Sequence, residues 1–321
     1  MARLLTLTLN PALDLSIRLG VLEPGKVNRT ESTRLDAGGK GINVARILAG
    51  LGHDVTVSGL LGADNETTFV RTFAECGLRD AFIRVSGETR INTKLSEQGG
   101  RVTDLNGPGP RIPERSLEEL AERLRALRSG LDAVVISGSL PPNVTPAWLA
   151  DRIREIRQWP TPVWLDTSGP ALVSGLAARP SGIKPNETEL ADWAGYPLQT
   201  PEEQLRAALQ LNEDGIEDVL LSTGAEGVLW AWRGNVLKAR PPRVSVVSTV
   251  GAGDTLLAGT LHGVLSGWPR EHSLRFATAL AAESVRHVGL GDPNASDFDV
   301  LQQQTLVQAL SVEHLRRETH R

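Results

Sequence analysis

Cysteine is nearly absent from this sequence: Cys76 is the only one among 321 residues. A single thiol excludes an intrachain disulfide, so the chain fits a reducing compartment and we expect it in the cytoplasm. Long apolar runs are also missing, because no stretch approaches the ~20 apolar residues that cross a bilayer. The first residues alternate apolar side chains with Thr until Asn10-Pro11, which indicates a β-strand rather than a signal peptide. No membrane partner is expected.

An excess of positive charge is the second absence. Lys and Arg number 34 against 38 Asp and Glu, so the formal net charge is −4 at pH 7. Non-specific nucleic-acid binding needs a broad basic surface, which this balance excludes. The chain also has neither G-x-G-x-x-G nor G-x-x-x-x-G-K-[ST]. An oxidoreductase with the standard dinucleotide motif therefore lacks support.

Short apolar strands alternate with helical segments from Leu117 onward. Three strands, at 132–137, 162–166 and 218–222, are apolar without polar alternation, as is typical of strands covered on both faces. This order predicts βαβ units, an α/β fold and a mainly parallel sheet.

Two helix starts carry the capping-box pattern, in which Ser or Thr precedes Glu by three positions. Ser116 with Glu119 predicts a helix from Leu117, and Thr200 with Glu203 predicts one that ends near Gly215.

Polar-alternating segments with Gly turns lie at about 13–35 and 81–106. This pattern is typical of a small antiparallel sheet with one face in water. Because the two segments are interleaved with βα units, we predict a lid inserted into a single domain that spans 1–321.

The strongest chemical signal is the segment STVGAGDTLLAG, which begins at Ser248. Gly251, Ala252 and Gly253 can expose consecutive backbone N–H groups just before an apolar helix, and a helix N-terminus favours anions. Asp254 beside such an anion could accept a hydroxyl proton in phosphoryl transfer. The alternative is that Asp254 is only the N-cap of the helix.

A second signal is DAGGKGINVA, at 36–45. Its glycines would let the backbone approach a ligand, Lys40 could meet a phosphate, and Asn43 lies one turn into the following helix. The alternative is an ordinary Gly-rich turn with Lys40 in solvent. Three Gly in four positions cost helix stability without a packing gain, which favours the ligand interpretation.

Two further segments complete the set. In IKPNETE, Asn186 and Glu189 lie on one helical face, which suits a hydrated Mg²⁺, although the same pair could be a capping box. In LSTGAEG, a strand is followed by a Gly-flanked loop at 222–227 whose backbone could hold a nucleotide.

These segments resemble the ribokinase-like (PfkB) carbohydrate kinases over roughly residues 4 to 294. The phrases that carry the resemblance are TLNPALD, VNR, GGKGINVAR, TRINTKL, VTDLN, SGSLPP, IKPNETELADWAG, STGAEG and VVSTVGAGDT. The resemblance implies a three-layer αβα fold with a mainly parallel central sheet and a small antiparallel β lid. It also implies ATP as co-substrate and Mg²⁺ as cofactor. The exposed sheet of the predicted lid would suit a homodimer. K⁺ activation is in question, because Ser248-Thr249-Val250 departs from the Asp-Thr-Thr of many relatives.

The resemblance assigns a role to each matching position. Asp254 would be the general base, and the amides of Gly251, Ala252 and Gly253 would form the anion hole. The nucleotide would meet Lys184, Asn186, Ser222, Thr223, Gly224, Ala225, Glu226, Gly227 and Gly253, with Asn186 and Glu189 holding Mg²⁺ through water. The sugar phosphate would meet Asp14, Lys26, Arg29, Gly38, Gly39, Lys40, Asn43, Arg90 and Ser139.

Substrate choice rests on the resemblance alone. TRINTKL and VTDLN favour phosphorylation of fructose 1-phosphate to fructose 1,6-bisphosphate. Tagatose-6-phosphate kinase and 6-phosphofructokinase activities are the alternatives within the family. A catalytically silent sugar-phosphate-binding regulator is the alternative outside enzymes, and an intact Asp254 argues against it.

Overall fold

The structure is a computed structural model, and it describes residues 1–311. Residues 312–321, which the predicted single domain includes, lie outside the described part. The strands are β1 (Arg3–Thr8), β2 (Ala12–Leu19), β3 (Thr30–Gly38), β4 (Asp54–Gly62), β5 (Arg79–Asp80), β6 (Ile83–Val85), β7 (Ile91–Glu97), β8 (Val102–Asn106), β9 (Ala133–Ser137), β10 (Val163–Asp166), β11 (Gly182–Ile183), β12 (Asp218–Ser222), β13 (Val228–Trp232), β14 (Asn235–Arg240) and β15 (Leu306–Ala309). The helices are α1 (Lys40–Gly50), α2 (Thr67–Glu75), α3 (Glu114–Leu127), α4 (Pro146–Ile156), α5 (Gly169–Ala177), α6 (Glu187–Ala194), α7 (Pro201–Glu213), α8 (Ala252–Leu265), α9 (Arg270–Ser284) and α10 (Phe298–Gln304).

The large sheet has the order β15-β14-β13-β12-β11-β10-β9-β1-β4-β5, and β6 also pairs with β4. The strands from β12 to β4 pair in parallel, while β13, β14 and β15 add an antiparallel margin. The three predicted apolar strands are confirmed as β9, β10 and β12, and all lie in the parallel part. The predicted α/β fold with a mainly parallel sheet is therefore correct.

Side chains of each central strand enter two separate cores. In β9, Val134 and Ile136 pack with the cluster that includes α4 and α5, whereas Ala133 and Val135 pack with the cluster that includes α1 and α8. Neighbouring residues of a strand point to opposite faces, so a strand between two helix layers must be apolar at every position. This explains the absence of polar alternation in these strands and confirms three layers.

One capping box was predicted correctly and one was wrong. Thr200 and Glu203 make the reciprocal bonds at the start of α7. By contrast, α3 begins at Glu114 with Pro113 as its N-cap, and Ser116 is buried inside the first turn. Pro113 fixes an extended backbone just before the helix, so the helix starts two residues before Ser116 and leaves its hydroxyl no capping position.

The small sheet has the order β3-β2-β7-β8. Its β2–β3 and β7–β8 pairs are antiparallel, but β2 and β7 pair in parallel, with Asp14 opposite Asn92. The prediction that 81–87 belongs to this sheet is wrong. Ile83–Val85 pairs in parallel with β4, because Ile83 and Val85 are buried in the large core.

Within residues 1–311, no helix combines the length and apolar character needed to cross a bilayer. Parallel strands end at a common edge of the sheet, where α/β proteins bind ligands. At this edge β1 ends at Thr8, β10 at Asp166 and β12 at Ser222. After β1 the chain passes from this edge of the large sheet directly into β2 of the small sheet.

Candidate active site

Helix α8 opens with the glycine-rich turn that the sequence singled out. Gly251 is the N-cap with φ 82°, a left-handed conformation that favours glycine, and a Cβ there would lie 2.9 Å from Leu290 Cδ2. The first helical bond runs from Thr255 N to Gly251 O at 2.8 Å, so the amides of Gly253 and Asp254 precede the helical ladder. Ala252 N donates to Thr249 O at 3.3 Å. The turn therefore offers Gly253 and Asp254 as amide donors for an anion.

Asp254 is not the cap of this helix, since Gly251 takes that position and no side chain caps it. Its carboxylate is 6 % exposed, and Oδ2 accepts from Asn43 Nδ2 at 2.8 Å. Burial and the negative charge of Asp166 raise the pKa of Asp254 to about 6, against the opposing effects of Asn43, Lys40 and Lys184. The two strongest motifs of the sequence thus meet in one hydrogen bond.

Asp166 holds two lysines together at the end of β10. Its Oδ1 lies 3.2 Å from Lys40 Nζ and 3.4 Å from Lys184 Nζ. Burial alone would raise the pKa of Asp166, but Lys184 and Lys40 together lower it. For Lys40, the cost of burial is outweighed by Asp166, Asp254 and Glu189, which raise its pKa to about 12. We call Lys40, Asp166, Lys184 and Asp254 the charged cluster.

Asp166 was not among the predicted site residues. The signal that could have found it is its position: it follows the apolar run Val163–Leu165 at the carboxyl end of a parallel strand, where functional side chains collect. Ser137, at the end of the neighbouring β9, donates to its other oxygen at 3.3 Å.

The glycines of the second motif do have a packing role, so the argument that they lack one was wrong. A Cβ at Gly41 would overlap Thr8 Oγ1, and a Cβ at Gly38 would overlap Asp14 Oδ2. A Cβ at Gly39, whose φ is 123°, would lie 3.0 Å from Thr8 Cγ2. Gly39 and Gly41 let the start of α1 approach the end of β1, and Gly38 leaves room for Asp14 of β2, which places Asn43 beside the charged cluster.

Asp14 and Ser139 lie on the side of the small sheet. Burial raises the pKa of Asp14, against the opposing effect of the hydrogen bond that Asn92 Nδ2 donates to its Oδ1 at 3.1 Å. Ser139 Oγ accepts from Asn10 Nδ2 at 3.2 Å and from Arg90 Nη2 at 3.3 Å.

Arg90 is tied to backbone oxygens. It donates to Asn10 O at 3.0 Å, Pro11 O at 3.3 Å and Gly107 O at 2.8 Å, in addition to Ser139. A guanidinium has five N–H groups, so four are engaged and one, on Nη1, is left. A two-point grip on phosphate by Arg90 would require one of these bonds to be exchanged.

Lys26 and Arg29 lie apart from the other predicted residues. Both are on the loop between β2 and β3, where Lys26 pairs with Glu23. The loop follows the pairing of Leu19 with Thr30, whereas the site begins at Asp14 opposite Asp36. Five residues of strand separate these levels, a distance of roughly 17 Å.

Asn186 and Glu189 form the capping box of α6. Asn186 Oδ1 accepts from Glu189 N at 2.8 Å, and Glu189 Oε2 accepts from Asn186 N at 2.9 Å. Among residues 1–311 no group of three or more His, Cys, Asp or Glu residues is placed to hold a metal. Mg²⁺ bound to phosphates keeps several waters and needs only one or two carboxylates. The remaining oxygen of Glu189, Oε1, fits that requirement.

The loop 222–227 follows β12 beside Asn186, which forms a parallel bridge with Ser222. Gly224–Glu226 is a 3₁₀ turn, and Thr223 closes it by donating from both N and Oγ1 to Gly227 O. A Cβ at Gly227 would overlap the carbonyl oxygen of Ala239, so a glycine is required there. The two predicted nucleotide segments are therefore neighbours.

The sequence profile of the pfkB family carbohydrate kinases matches residues 7–297 of this chain. A 1-phosphofructokinase of Vibrio cholerae is 44 % identical over 96 % of this chain and 97 % of that protein. A 1-phosphofructokinase of Escherichia coli K12 is 44 % identical over 90 % of this chain and 93 % of that protein.

Solved structures are similar in fold over the same range. Escherichia coli phosphofructokinase-2 in complex with fructose-6-phosphate matches with a TM-score of 0.87 and 28 % identity, over 94 % of this chain and 99 % of that chain. The same enzyme in complex with potassium matches over the same shares, with a TM-score of 0.88 and 29 % identity.

Proposed function

The chain belongs to the pfkB family of carbohydrate kinases, and from this membership we propose that it transfers a phosphoryl group from ATP to fructose 1-phosphate. The products are fructose 1,6-bisphosphate and ADP. The observation that carries the substrate is the 44 % identity to a 1-phosphofructokinase over nearly the whole of both chains. The chain is an ATP-dependent sugar-phosphate kinase.

The chemical step uses Asp254 and the first turn of α8. The sugar hydroxyl oxygen forms a bond to the phosphorus, the bond to the ADP oxygen breaks, and the hydroxyl proton passes to the Asp254 carboxylate. The amides of Gly253 and Asp254, with the positive end of the helix, stabilise the charge of the migrating group. With a pKa of about 6, Asp254 is ionised at neutral pH and is a better proton acceptor than an ordinary aspartate.

The two lysines serve the phosphates on either side of the transfer. Lys184 would meet ATP phosphates together with Asn186 and the loop 222–227, and Lys40 would meet the phosphoryl group in transit. Asp166 fixes both ammonium groups before any substrate binds, so little ordering is left to be done during binding.

Mg²⁺ would be held through water by Glu189, with Asn186 fixing the orientation of that carboxylate. The capping box supports this, because it locks Glu189 by one oxygen and leaves the other available. When bound, the ion neutralises phosphate charge.

The sugar would lie between the charged cluster and the small sheet. Asp14, Asn43, Gly38 and Gly39 would meet its hydroxyls, and Arg90 and Ser139 its phosphate end. Lys26 and Arg29 would contribute only if a movement of the small sheet carried their loop inward.

Two finer proposals concern ions and assembly. K⁺ activation is supported by the potassium complex of the Escherichia coli neighbour, although Ser248-Thr249-Val250 departs from the common pattern. A homodimer is supported by exposed apolar side chains on the small sheet, such as Leu35 and Leu105. Location in the cytoplasm stays a prediction.

The test is a set of coupled ADP-release assays with fructose 1-phosphate, fructose 6-phosphate and tagatose 6-phosphate in parallel. We expect kcat/KM to be highest for fructose 1-phosphate. A higher value for either 6-phosphate would reassign the substrate within the family. Activity on none of the three, with a folded protein, would favour a silent sugar-phosphate-binding regulator.

A further inference from the structure

Three connections between the large and the small sheet meet beside Ser139. They are 9–11, which leads from β1 to β2, 86–90, which leads from β6 to β7, and 107–113, which leads from β8 to α3. The second of these is anchored to the large sheet at Thr89. Thr89 exchanges two hydrogen bonds of 2.8 Å with Asn65, and its hydroxyl accepts from Gly62 N at 2.9 Å.

Asn10 is the buried side chain at this meeting point, with 3 % exposure. Its Nδ2 lies 3.2 Å from three acceptors: Pro108 O, Ser139 Oγ and Leu140 O. The backbone carbonyl oxygen of Asn10 accepts from Arg90 Nη2. Gly109 makes room for it, since a Cβ there would overlap Asn10 Oδ1.

The consequence for Ser139 follows from counting its bonding capacity. A serine hydroxyl has two acceptor lone pairs and one O–H donor. Asn10 Nδ2 shares its two hydrogens among three acceptors, but Nδ2 and Arg90 Nη2 can only donate, so both face the lone pairs of Ser139 Oγ. The exposed hydroxyl of Ser139 is then left with its donor alone, and its partner must be an oxygen that accepts. A sugar hydroxyl could accept this bond too, but a charged phosphate oxygen accepts a stronger one.

We propose that Asn10 is a positioning residue that, with Arg90, fixes Ser139 as a hydrogen-bond donor to the phosphate group of the sugar substrate. The inference rests on the proposed function and deepens it: Asn10 supports recognition of the phosphate end of the sugar. It acts through Ser139 and Arg90.

The test compares Asn10→Ala with a matched control, Asn143→Ala. Asn143 follows β9 and exchanges two hydrogen bonds of 2.8 Å with Ile112, which lies in the connection 107–113. It makes no bond to Ser139 or Arg90. We expect Asn10→Ala to raise KM for fructose 1-phosphate about tenfold and to leave KM for ATP within about twofold. Asn143→Ala should lower the thermal midpoint by about as much as Asn10→Ala does. It should leave the KM values for fructose 1-phosphate and for ATP unchanged.

A double-mutant cycle with Ser139→Ala tests the route. In the Ser139→Ala background, Asn10→Ala should raise KM for fructose 1-phosphate by less than its effect in the wild type, because the target of its hydrogen bond is gone. Equal increases in both backgrounds would overturn the proposal, and so would equal KM increases in Asn10→Ala and Asn143→Ala.

Folding is controlled by a second variant, Asn10→Asp, which keeps the shape but faces three acceptors without a donor. It should raise KM at least as much as Asn10→Ala. If neither variant folds while Asn143→Ala does, Asn10 is a structural residue and the proposal is wrong. Failure of the proposed function would look different, since the wild-type enzyme itself would then not phosphorylate fructose 1-phosphate.

Discussion

The charged cluster and the small sheet differ in how far their charged side chains are exposed to water. In the cluster, Asp166, Lys184 and Asp254 are buried, and Asp166 pairs with Lys184 at 3.4 Å. On the small sheet, the pair of Arg18 with Glu31 is exposed to solvent. Removing one member of a buried pair leaves an unbalanced charge, whereas an exposed pair contributes about 0–1 kcal/mol. We infer that the cluster is set before substrates bind and that the small sheet is free to adjust to them.

The largest expected effect is at the base. Asp254→Ala should lower kcat by about a thousandfold with little change in KM for the sugar, because the lost interaction forms only as the proton moves. Steady-state kinetics with fructose 1-phosphate measure this, with thermal melting as the control for folding. If the variant keeps a tenth or more of kcat, the cluster is an electrostatic frame without a base.

The next effect is on stability. Asp166→Asn leaves Lys184 buried without its carboxylate, so the free energy of unfolding should fall by about 3 kcal/mol. Urea denaturation measures this. Asp151→Asn is the matched control, because Asp151 pairs with Arg154 at 2.7 Å on the surface and should cost under about 0.5 kcal/mol. Equal losses in the two variants would remove the distinction between buried and exposed pairs.

The pH dependence of activity tests the electrostatics of the cluster. A raised pKa of about 6 means that Asp254 becomes protonated as the pH falls through 6 and can no longer accept a proton. We expect kcat/KM to be about tenfold lower at pH 5 than at pH 8. The substrate phosphate also titrates, and the residual activity of Asp254→Ala reports that contribution alone. An acidic limb centred near pH 4 would show that burial does not perturb Asp254.

The smallest effect concerns movement of the small sheet. If it closes over the sugar, amide hydrogen exchange in 12–19 and 91–106 should slow about fivefold at about four times Kd of the sugar phosphate. Ile83–Val85 is an internal control, since it belongs to the large sheet and its exchange should not change. Unchanged exchange in both regions at confirmed binding would mean that the small sheet is as fixed as the cluster.

Local patterns were sufficient to predict the central strands and the start of α8 at the glycine-rich turn before Asp254. Burial on both faces removes polar alternation from a strand, so β9, β10 and β12 are visible without their neighbours. The capping box at Thr200 is likewise local.

The errors arose where distant segments meet. Asp166 is paired with Lys40, which is 126 positions away in sequence. The glycines at 38 and 41 looked unnecessary because the side chains they accommodate, Asp14 and Thr8, belong to other strands. The partners of Arg90 come from two other connections, at Gly107 and Asn10. None of these contacts leaves a periodic trace in the sequence.

The parallel pairing of β2 with β7 has a consequence for the order of folding. Asp14 and Asn92 are neighbours in the sheet but 78 positions apart, with β4, α2 and β6 between them. During synthesis β2 and β3 can form a hairpin as soon as they emerge, while one edge of β2 waits for β7. At ~5–20 residues per second, 78 residues take roughly 4–16 seconds, and this edge stays open for that time. A strand edge that stays unpaired for this time can pair with another nascent chain. A low level of expression and a low temperature should therefore favour the native enzyme.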